Sequence, residues 1–381
     1  MTKRVLLIGQ FDGYANGVKP AAVEEFLRKR GHDVEVVNTY YLSRASTTPR
    51  ALATKLPRLG LRRLGIYAAE LSSLVFTRRW KLGRRHLSYY ALLADYCLRR
   101  SLLRSKLPLD DFDLIICEHP QDAGVLTTGT SARRFYDCPN PYADELWYEG
   151  RLSKRQRSKF RVLERELFES VDGLSFSWES YARYAQKHYG ISGRNLKQLN
   201  WGCHPVPATQ RARFSAPARV VYMGSLTSRY IDLPLLSRLA KRYPHIDVYG
   251  GPPPDPALGL HYRGWASPNV LDQYQFGLIT CTKDELRRDG FSAKHLDYIA
   301  HGLPVLVPVW RRHLDLLRGS VPYDEDTFVA AIESLSTAEE WRRISDEAYA
   351  QAQRLNWDVT LRPLEDVLTQ MSPGSDAVGV S

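Results

Sequence analysis

The chain has few cysteines, and they follow no pattern. Five occur in 381 residues, and none stands in the short paired spacing that zinc ligands adopt. We therefore expect neither a zinc site nor a framework of disulfides, and we expect a reducing compartment. The five are Cys97, Cys117, Cys138, Cys203 and Cys281.

The sequence also lacks a charged-then-apolar leader, because Met1-Thr-Lys-Arg passes directly into a predicted strand. From this we expect a cytoplasmic protein. In the most basic part of the chain the longest apolar stretch, 68–76, is interrupted by Glu70 and two serines. It is far shorter than the ~18 residues that a membrane-spanning helix needs.

The first predicted loop lacks the glycine spacing of a dinucleotide-binding turn. Residues 4–9 read as a buried strand, a loop with Gly13 and Gly17 follows, and a helix is predicted from about Pro20 to Arg30 before a second strand. This is a βαβ opening. Because the G-x-G-x-x-G spacing is missing, we predict no nicotinamide site here.

Positive charge is concentrated in one stretch. The chain carries a net charge of +11, and residues 50–106 alone carry +12, which leaves −1 for the remainder. Arginine pairs alternate there with apolar and aromatic residues, as in Arg78-Arg79-Trp80. This pattern favours an amphipathic surface that lies on anionic lipid. Nucleic-acid binding and a solvated helical face are the alternatives.

Length and composition predict two ordinary α/β domains. With 44% hydrophobic and 25% charged residues, 381 residues are enough for two cores. We predict a first domain over 1–205 with the basic insertion at 50–106, a linker over 206–217, and a second domain over 218–354. A helix within 355–371 is predicted to cross back to the first domain, and 372–381 to be disordered.

The most informative stretch runs from Cys281 to Pro308. An apolar run enters it, and a polar loop, a helix, a tight turn and a second apolar run follow, which is one unit of a parallel α/β sheet. Lys294 falls in the first turn of the predicted helix, where the positive end of the helix dipole disfavours a cation. We therefore infer an anionic partner, and phosphate is the foremost candidate.

Two carboxylates frame that lysine. Asp289 precedes it in the loop, and Asp297 lies three residues further along the helix, on the same face as Lys294. The lysine could bind a diphosphate and Asp297 could accept hydrogen bonds from a ribose, with Asp289 facing the group that the diphosphate carries. Alternatively, Asp289 caps a turn, and Lys294 and Asp297 form a solvated pair.

The segment Ser292-Ala-Lys-His-Leu-Asp-Tyr-Ile-Ala-His-Gly-Leu-Pro-Val resembles the nucleotide-sugar motif of GT-B glycosyltransferases, including bacterial surface-polysaccharide transferases. That motif reads Pro/Ser-x-Lys-x-x-Glu-Tyr-x-Ala-x-Gly-x-Pro-Val, and a second Glu lies eight positions before the first. This chain has Asp at both Glu positions. The resemblance implies an α/β fold of two Rossmann-like domains that face each other across a cleft.

The resemblance also implies an activity. A hexosyl or glycuronosyl group would move from a nucleotide diphosphate-sugar, UDP-sugar being favoured, to a hydroxyl of a membrane-associated glycolipid or polysaccharide precursor. The enzyme would lie on the inner face of the plasma membrane, bind no nucleic acid and need no metal, since no D-x-D pair stands in a suitable loop. Asp12, Tyr14 and Asn16 would contact the acceptor. The donor would be bound by Gly224, Ser225, Arg229, Ser292, Lys294, Asp297 and Tyr298.

Polar groups at predicted strand ends in the first half supply the acid–base candidates, because ligands bind at the carboxyl edge of such sheets. Glu118, His119, Asp137 and Asp144 have this placement. If the reaction inverts the sugar, Asp137 is the first choice of general base and His119 the second. If it retains the configuration, Asp289 would orient the sugar. A sugar-nucleotide epimerase and a nucleic-acid-binding protein remain alternative functions.

Overall fold

The computed structural model describes residues 2–11, 15–39, 96–97, 99–101, 103–290, 292–311 and 317–369, without the side chains of residues 15–17 and 289. Most of the basic insertion, Asp12, Tyr14 and the segment 370–381 therefore lie outside the described residues. The chain divides into two compact units. Unit 1 comprises the described residues up to Asn200 together with 361–369, and unit 2 comprises Trp201–Thr360.

Unit 1 is built on a five-stranded sheet in which every strand pair is parallel and the order is β2-β1-β3-β4-β5. β3 and β5 are buried along their whole length, as is β1 after its first residue. Uninterrupted apolar strands of this kind belong to a sheet covered on both faces. The strands are β1 (Arg4–Gly9), β2 (Asp33–Asn38), β3 (Leu114–Cys117), β4 (Arg133–Cys138) and β5 (Gly173–Phe176).

Helices cover this sheet: α1 (Ala15–Lys29), α2 (Tyr142–Tyr148), α3 (Lys154–Ser170) and α4 (Glu179–Tyr189). The predicted start of α1 near Pro20 is wrong, because the helix begins at Ala15 and Pro20 lies inside it. Pro20 is the sixth residue of α1, beyond the first turn, where it removes one backbone hydrogen bond of the helix. α3 begins where Ser153 and Gln156 form a reciprocal capping box.

Unit 2 has a six-stranded parallel sheet in the order β11-β10-β9-β6-β7-β8. The strands that follow β6, β7 and β8, are added on one side of it, and the strands that follow β9, β10 and β11, are added on the other side of the sheet. The neighbours β6 and β9 therefore mark the switch point, where α/β sheets bind ligands beyond the carboxyl ends of their strands. The strands are β6 (Val220–Met223), β7 (Ile246–Tyr249), β8 (His261–Tyr262), β9 (Phe276–Leu278), β10 (Val305–Pro308) and β11 (Ser320–Tyr323).

The helices of unit 2 are α5 (Leu233–Arg242), α6 (Glu285–Asp289), α7 (Ala293–Ala300), α8 (Phe328–Glu333), α9 (Ala338–Arg354) and α10 (Trp357–Thr360), and α11 (Pro363–Thr369) belongs to unit 1. The sequence predicts helices from about Leu233 to Arg242 and from about Ala338 to Arg354, and α5 and α9 have these bounds. The sequence also predicts one helix from about Thr360 to Met371. This prediction is wrong, because α10 ends at Thr360 and a separate helix starts at Pro363.

The segment 206–217, predicted as a linker, makes backbone contacts within unit 2. Val206 N–H donates to Ala300 O at 3.1 Å, and Ala212 N–H donates to His301 O at 2.9 Å. Short 3-10 turns complete both units, at Leu109–Asp111, Ala123–Thr127, Ala208–Gln210, Pro256–Leu258 and Pro268–Gln273. None of the helices in the described ranges is long and apolar enough to cross a membrane.

Candidate functional site

Lys294 lies at the switch point of unit 2, in the first turn of α7. The helix is capped at Ser292 without a side-chain hydrogen bond, and its first turn holds no acidic residue. The first N–H groups of a helix have no partner within the helix, so this end can receive an anion. The Lys294 ammonium stands over two rings, 5.7 Å from the centroid of Tyr222 and 5.6 Å from that of Tyr230.

A glycine turn at the end of β6 makes room for that lysine. Gly224 has φ 148°, and a Cβ added there would collide with Cε of Lys294. Gly250, which follows β7, packs against the same turn, since its added Cβ would lie 2.8 Å from Gly224 O. The lysine side chain therefore passes directly over the backbone at Gly224, as the sequence prediction of both residues in one site requires. Ser225 stabilises the turn by accepting a hydrogen bond from Thr227 N–H at 3.3 Å.

Two buried arginines that the sequence analysis missed accompany Lys294. Arg311, just after β10, donates to Gly290 O at 2.5 Å and approaches the Cys281 thiol at 3.8 Å. Arg287 stacks on Tyr230 with its guanidinium carbon 4.8 Å from the ring centroid. Burial raises the pKa of the Cys281 thiol, and the three cations oppose that effect. Lys294, Arg287 and Arg311 therefore all lie close enough to Cys281, in the loop after β9, to act on it electrostatically. In the sequence, the only sign of the two arginines was a basic residue in the loop on either side of α7.

Asp297 and Arg229 both expose part of their side chains. Partial desolvation by the surrounding protein raises the pKa of the Asp297 carboxyl to about 6, and the charge of Lys294 opposes this shift. Asp297 therefore has surface available to a ligand and carries a proton more readily than an ordinary aspartate.

Tyr298 is buried, and its position argues against the predicted contact with a donor. It is 0% exposed. Its hydroxyl accepts a hydrogen bond from Met223 N–H at 2.9 Å and donates to Leu278 O at 3.4 Å. Its ring occupies the space left by Gly277, whose added Cβ would overlap it. Tyr298 therefore ties α7 to β6 and β9 and stabilises the site from beneath.

An exposed tryptophan lies close to the glycine turn and was not predicted as a site residue. Trp265 is 68% exposed. The residue before it, Gly264, accepts a hydrogen bond from Gly250 N–H at 2.8 Å, and Gly250 lies against Gly224. The backbone at Trp265 therefore lies at the same edge of the sheet as the glycine turn, and its side chain is exposed.

In unit 1, Asp137 lies at the end of β4 in a closed ion pair. Lys19 Nζ from α1 is 2.8 Å from one carboxylate oxygen and 2.7 Å from the other, and it also donates to Leu199 O at 2.8 Å. Ser175 Oγ donates to the same carboxylate. Lys19, Asp137 and Ser175 are 3%, 2% and 0% exposed. Asp137, the predicted first choice of base, is thus already bound to a cation and a hydroxyl.

Glu118 lies beside this pair. Cys117 is in register with Tyr136, so the next residues, Glu118 and Asp137, lie at the same level of neighbouring strands. Glu118 is 8% exposed, and its buried Oε1 has no hydrogen-bond partner among the described residues. Burial and then the charge of Asp137 raise the pKa of its carboxyl well above the ordinary value, while Lys19 opposes them.

His119, the second choice of base, is neutral at physiological pH. Burial lowers the pKa of its imidazole to about 4, although Asp122 acts in the opposite direction. Its Nδ1 lies 3.5 Å from Asp122 Oδ2. Asp122 in turn accepts hydrogen bonds from Thr39 Oγ1 at 2.6 Å and from Arg99 at 3.0 Å. Burial therefore keeps the imidazole uncharged and makes His119 a weaker base than an ordinary histidine.

Asp144 serves a structural purpose. It is 0% exposed and binds two arginines of α3, Arg161 at 2.8 Å and Arg157. Arg157 and Arg161 lie in the first half of α3, so this buried carboxylate joins α2 to α3.

The remaining predicted residues are the acceptor residues Asp12, Tyr14 and Asn16 and the catalytic candidate Asp289. Asp12, Tyr14 and the side chains of Asn16 and Asp289 lie outside the described residues. Within the part of the chain that is described, no three His, Cys, Asp or Glu side chains group as metal ligands would.

Comparison with known proteins reveals similarity in structure rather than in sequence. No family model matches the chain, and no curated protein matches its sequence. Sucrose-phosphate synthase from Thermosynechococcus elongatus matches over 97% of this chain and 99% of its own, with a TM-score of 0.64 at 11% identity. A lipopolysaccharide outer core galactosyltransferase covers 97% and 100%, with a TM-score of 0.59 at 12% identity.

A glycosyltransferase from Rickettsia africae ESF-5 matches in the same way, with a TM-score of 0.58 at 10% identity over 98% of this chain and 100% of its own. The chain has the GT-B fold. The fold inferred from the segment 292–305 is therefore confirmed over nearly the whole length. In this GT-B chain the motif lies at the switch point of unit 2, and the ion pair of Asp137 lies at the carboxyl edge of the sheet of unit 1.

Proposed function

We propose that the protein is a glycosyltransferase that uses a nucleoside diphosphate-sugar as donor. The observation that carries the proposal is the convergence of Lys294, Arg287 and Arg311 on the switch point of unit 2. Beside them lies the turn at Gly224, where only glycine fits. A diphosphate carries charge opposite to that of the three cations, and backbone without side chains lets it approach closely. The GT-B fold supports the same reading.

The cations would act on the leaving group. As the bond between the anomeric carbon and the diphosphate breaks, negative charge grows on the diphosphate oxygens. Fixed positive charge and the N-terminus of α7 would stabilise that charge without reorganising during the reaction. Asp297 would accept hydrogen bonds from the ribose, Asp289 would contact the sugar, and Arg229 and Ser225 would complete the donor site. No metal is needed in this scheme.

The exposed Trp265 offers a face for the nucleobase, since aromatic side chains stack on any base. Stacking alone does not select a base. We propose UDP-hexose or UDP-hexuronic acid as donor, in line with the motif of the segment 292–305.

Thermal stability with UDP, GDP, ADP and CMP tests the donor site. We expect one nucleoside diphosphate to raise the melting temperature of the wild type, because ligand at 100 times its Kd adds about 2.7 kcal/mol. Lys294→Ala should abolish most of that shift. Lys241→Ala is the matched control, since it removes an exposed lysine from α5 of the same unit. If no nucleoside diphosphate raises the melting temperature of the wild type, the proposed donor site is wrong. It is also wrong if Lys294→Ala shows the same shift as the wild type and Lys241→Ala.

For the acceptor we propose a hydroxyl of a lipid-linked saccharide, reached at the inner face of the plasma membrane through the basic insertion 50–106. The support is that this insertion has a net charge of +12 and that aromatic residues stand between its basic residues. Each basic residue near anionic lipid contributes about 1 kcal/mol to binding. Sedimentation with anionic and neutral vesicles at low salt is the test. Equal binding to both, or to neither, would remove the membrane from the proposal.

A further inference from the structure

We propose that Tyr230 is a positioning residue of the donor site, and that its ring fixes Lys294 and Arg287 in place for a diphosphate. This inference rests on the proposed function, and it adds a preference for nucleoside diphosphates over nucleoside monophosphates. All the residues that carry it lie in unit 2.

Tyr230 lies where the two halves of the sheet of unit 2 meet. It belongs to the loop after β6, and its carbonyl oxygen accepts hydrogen bonds from Thr282 N–H at 2.9 Å and from Thr282 Oγ1 at 3.4 Å. Thr282 belongs to the loop after β9. The two loops that flank the switch point are therefore joined at Tyr230, in the crevice where α/β sheets bind ligands.

Two cations lie over the ring of Tyr230. The Lys294 ammonium is 5.6 Å from the ring centroid, and the guanidinium carbon of Arg287 is 4.8 Å from it. Both distances fall within the range of about 6 Å over which the negative face of an aromatic ring attracts a cation. Lys294 belongs to α7 and Arg287 to α6, so one ring holds side chains from two helices.

Lys294 depends on aromatic rings more than Arg287 does. Asp284 lies close enough to Arg287 for their charges to interact. Among the described residues, by contrast, no hydrogen bond or ion pair reaches the Lys294 ammonium, and the rings of Tyr222 and Tyr230 lie beneath it. Tyr222 is 0% exposed and Tyr230 is half-buried, so Tyr230 is the ring of the two that borders the open side of the site.

The ring lowers the cost of binding an anion. Like charges held side by side repel each other, and attraction to the ring offsets part of that repulsion. A ligand that must immobilise long side chains also loses affinity, because their rotamer freedom is lost on binding. Since Tyr230 already fixes both side chains, a diphosphate meets cations that are in place. Affinity should therefore depend on the ring although the ring need not touch the ligand.

A ligand with two phosphate groups gains more from two fixed cations than a ligand with one. A nucleoside diphosphate can engage Lys294 and Arg287 together, because each cation forms charge-assisted hydrogen bonds to phosphate oxygens. A nucleoside monophosphate has a single phosphate group for the same two cations. Loss of the ring should consequently weaken diphosphate binding more than monophosphate binding.

Calorimetric titration with UDP, UMP and inorganic pyrophosphate tests the inference. Pyrophosphate is included because its binding depends on no nucleobase. Tyr230→Leu should weaken the binding of UDP and of pyrophosphate by about 10-fold, the effect expected from two cation–π contacts at a half-buried ring. UMP binding should fall by about 3-fold or less. Tyr230→Phe keeps the ring and should bind all three ligands like the wild type.

Tyr349→Leu is the matched control. Tyr349 is also half-buried in unit 2, and the guanidinium carbon of Arg211 lies 4.4 Å from its ring centroid. Its hydroxyl donates to Val206 O, next to the C-terminal end of α7 and so at the opposite end of that helix from Lys294. Tyr349→Leu should leave all three affinities unchanged. If it weakens UDP binding as much as Tyr230→Leu does, the loss reflects general destabilisation and the inference is overturned.

A second series keeps the packing of the ring and changes only its charge distribution. It consists of Tyr230→Phe and its forms with one, two and three fluorine atoms on the ring, because each fluorine weakens the attraction of the ring face for a cation. Affinity for UDP and pyrophosphate should fall stepwise along the series, while the unfolding midpoint stays close to that of Tyr230→Phe. This series decides the question if Tyr230→Leu does not fold.

Equal affinities along the fluorinated series overturn the inference. A rise in affinity overturns it as well, because the ring would then compete with the anion for the cations. In both cases the wild type still binds UDP, so the proposed function stands. If the wild type binds neither UDP nor pyrophosphate, the donor site is wrong, and the inference fails together with the proposed function.

Discussion

Gly224 and Lys294 show how one residue of unit 2 depends on another that is 70 positions away in the sequence. The lysine crosses the backbone at Gly224, where φ is 148° and no side chain fits. Both residues appear in the predicted donor site, but only the structure explains why they occur together.

Gly224→Ala should destabilise the protein by about 1–3 kcal/mol, because the new methyl group overlaps Lys294 and the backbone conformation is strained for an L-residue. Displacement of Lys294 should also weaken nucleoside diphosphate binding. Urea unfolding and calorimetric titration measure the two effects. Gly129→Ala is the control, since its Cβ would meet no atom within 4 Å. Similar losses in both variants would contradict this account of Gly224.

For single residues, the sequence identifies those whose charge is unfavourable at their place in a predicted helix or strand. Lys294 stands out because a cation opposes the dipole at the start of a helix. Glu118 and Asp137 look equivalent in the sequence, since each ends an apolar strand. Only the partner distinguishes them, and Lys19 lies 118 positions away from Asp137. No pattern along the chain contains that contact.

Elements were predictable where caps and periodicity agree. A capping box formed by Thr337 and Glu340 precedes α9, and α5 is capped by Asp232, whose side chain accepts from Leu235 N–H. β8 has only two residues and β11 contains Pro322, so neither offers a long apolar run, and both were missed.

α7 illustrates how an element is fixed in place by a residue that was predicted to bind ligand. The Tyr298 hydroxyl joins the helix to β6 and β9. Tyr298→Phe should lower the free energy of unfolding by about 1–3 kcal/mol, because Met223 N–H loses its buried acceptor. The affinity for nucleoside diphosphate should stay close to that of the wild type.

Denaturant unfolding and titration of the same preparation separate the two roles of Tyr298. Tyr262→Phe serves as control, since its hydroxyl bonds Gly251 O at an exposed position and should affect stability little. A large loss of affinity with unchanged stability in Tyr298→Phe would restore the donor contact predicted from the sequence.

The whole molecule is not two consecutive halves, because the end of the described chain belongs to unit 1. Residues 361–369 are grouped with it. Glu365 forms an ion pair with Arg30, just after α1, and Arg30 covers the ring of Phe26 at 3.5 Å. Unit 1 is therefore completed only after unit 2 has been synthesised.

A chain that ends after Thr360 should consequently lose stability in unit 1 and not in unit 2. It lacks Leu361 and Leu364, both 0% exposed, together with the nearly buried Val367 and Leu368. Burying each such side chain contributes about 1.5–3 kcal/mol. Differential scanning calorimetry should show a lower transition temperature for unit 1, while a nucleoside diphosphate still raises that of unit 2. A chain that ends after Thr369 keeps every described contact and should unfold like the wild type. If the chain that ends after Thr360 also unfolds like the wild type, the segment 361–369 does not stabilise unit 1.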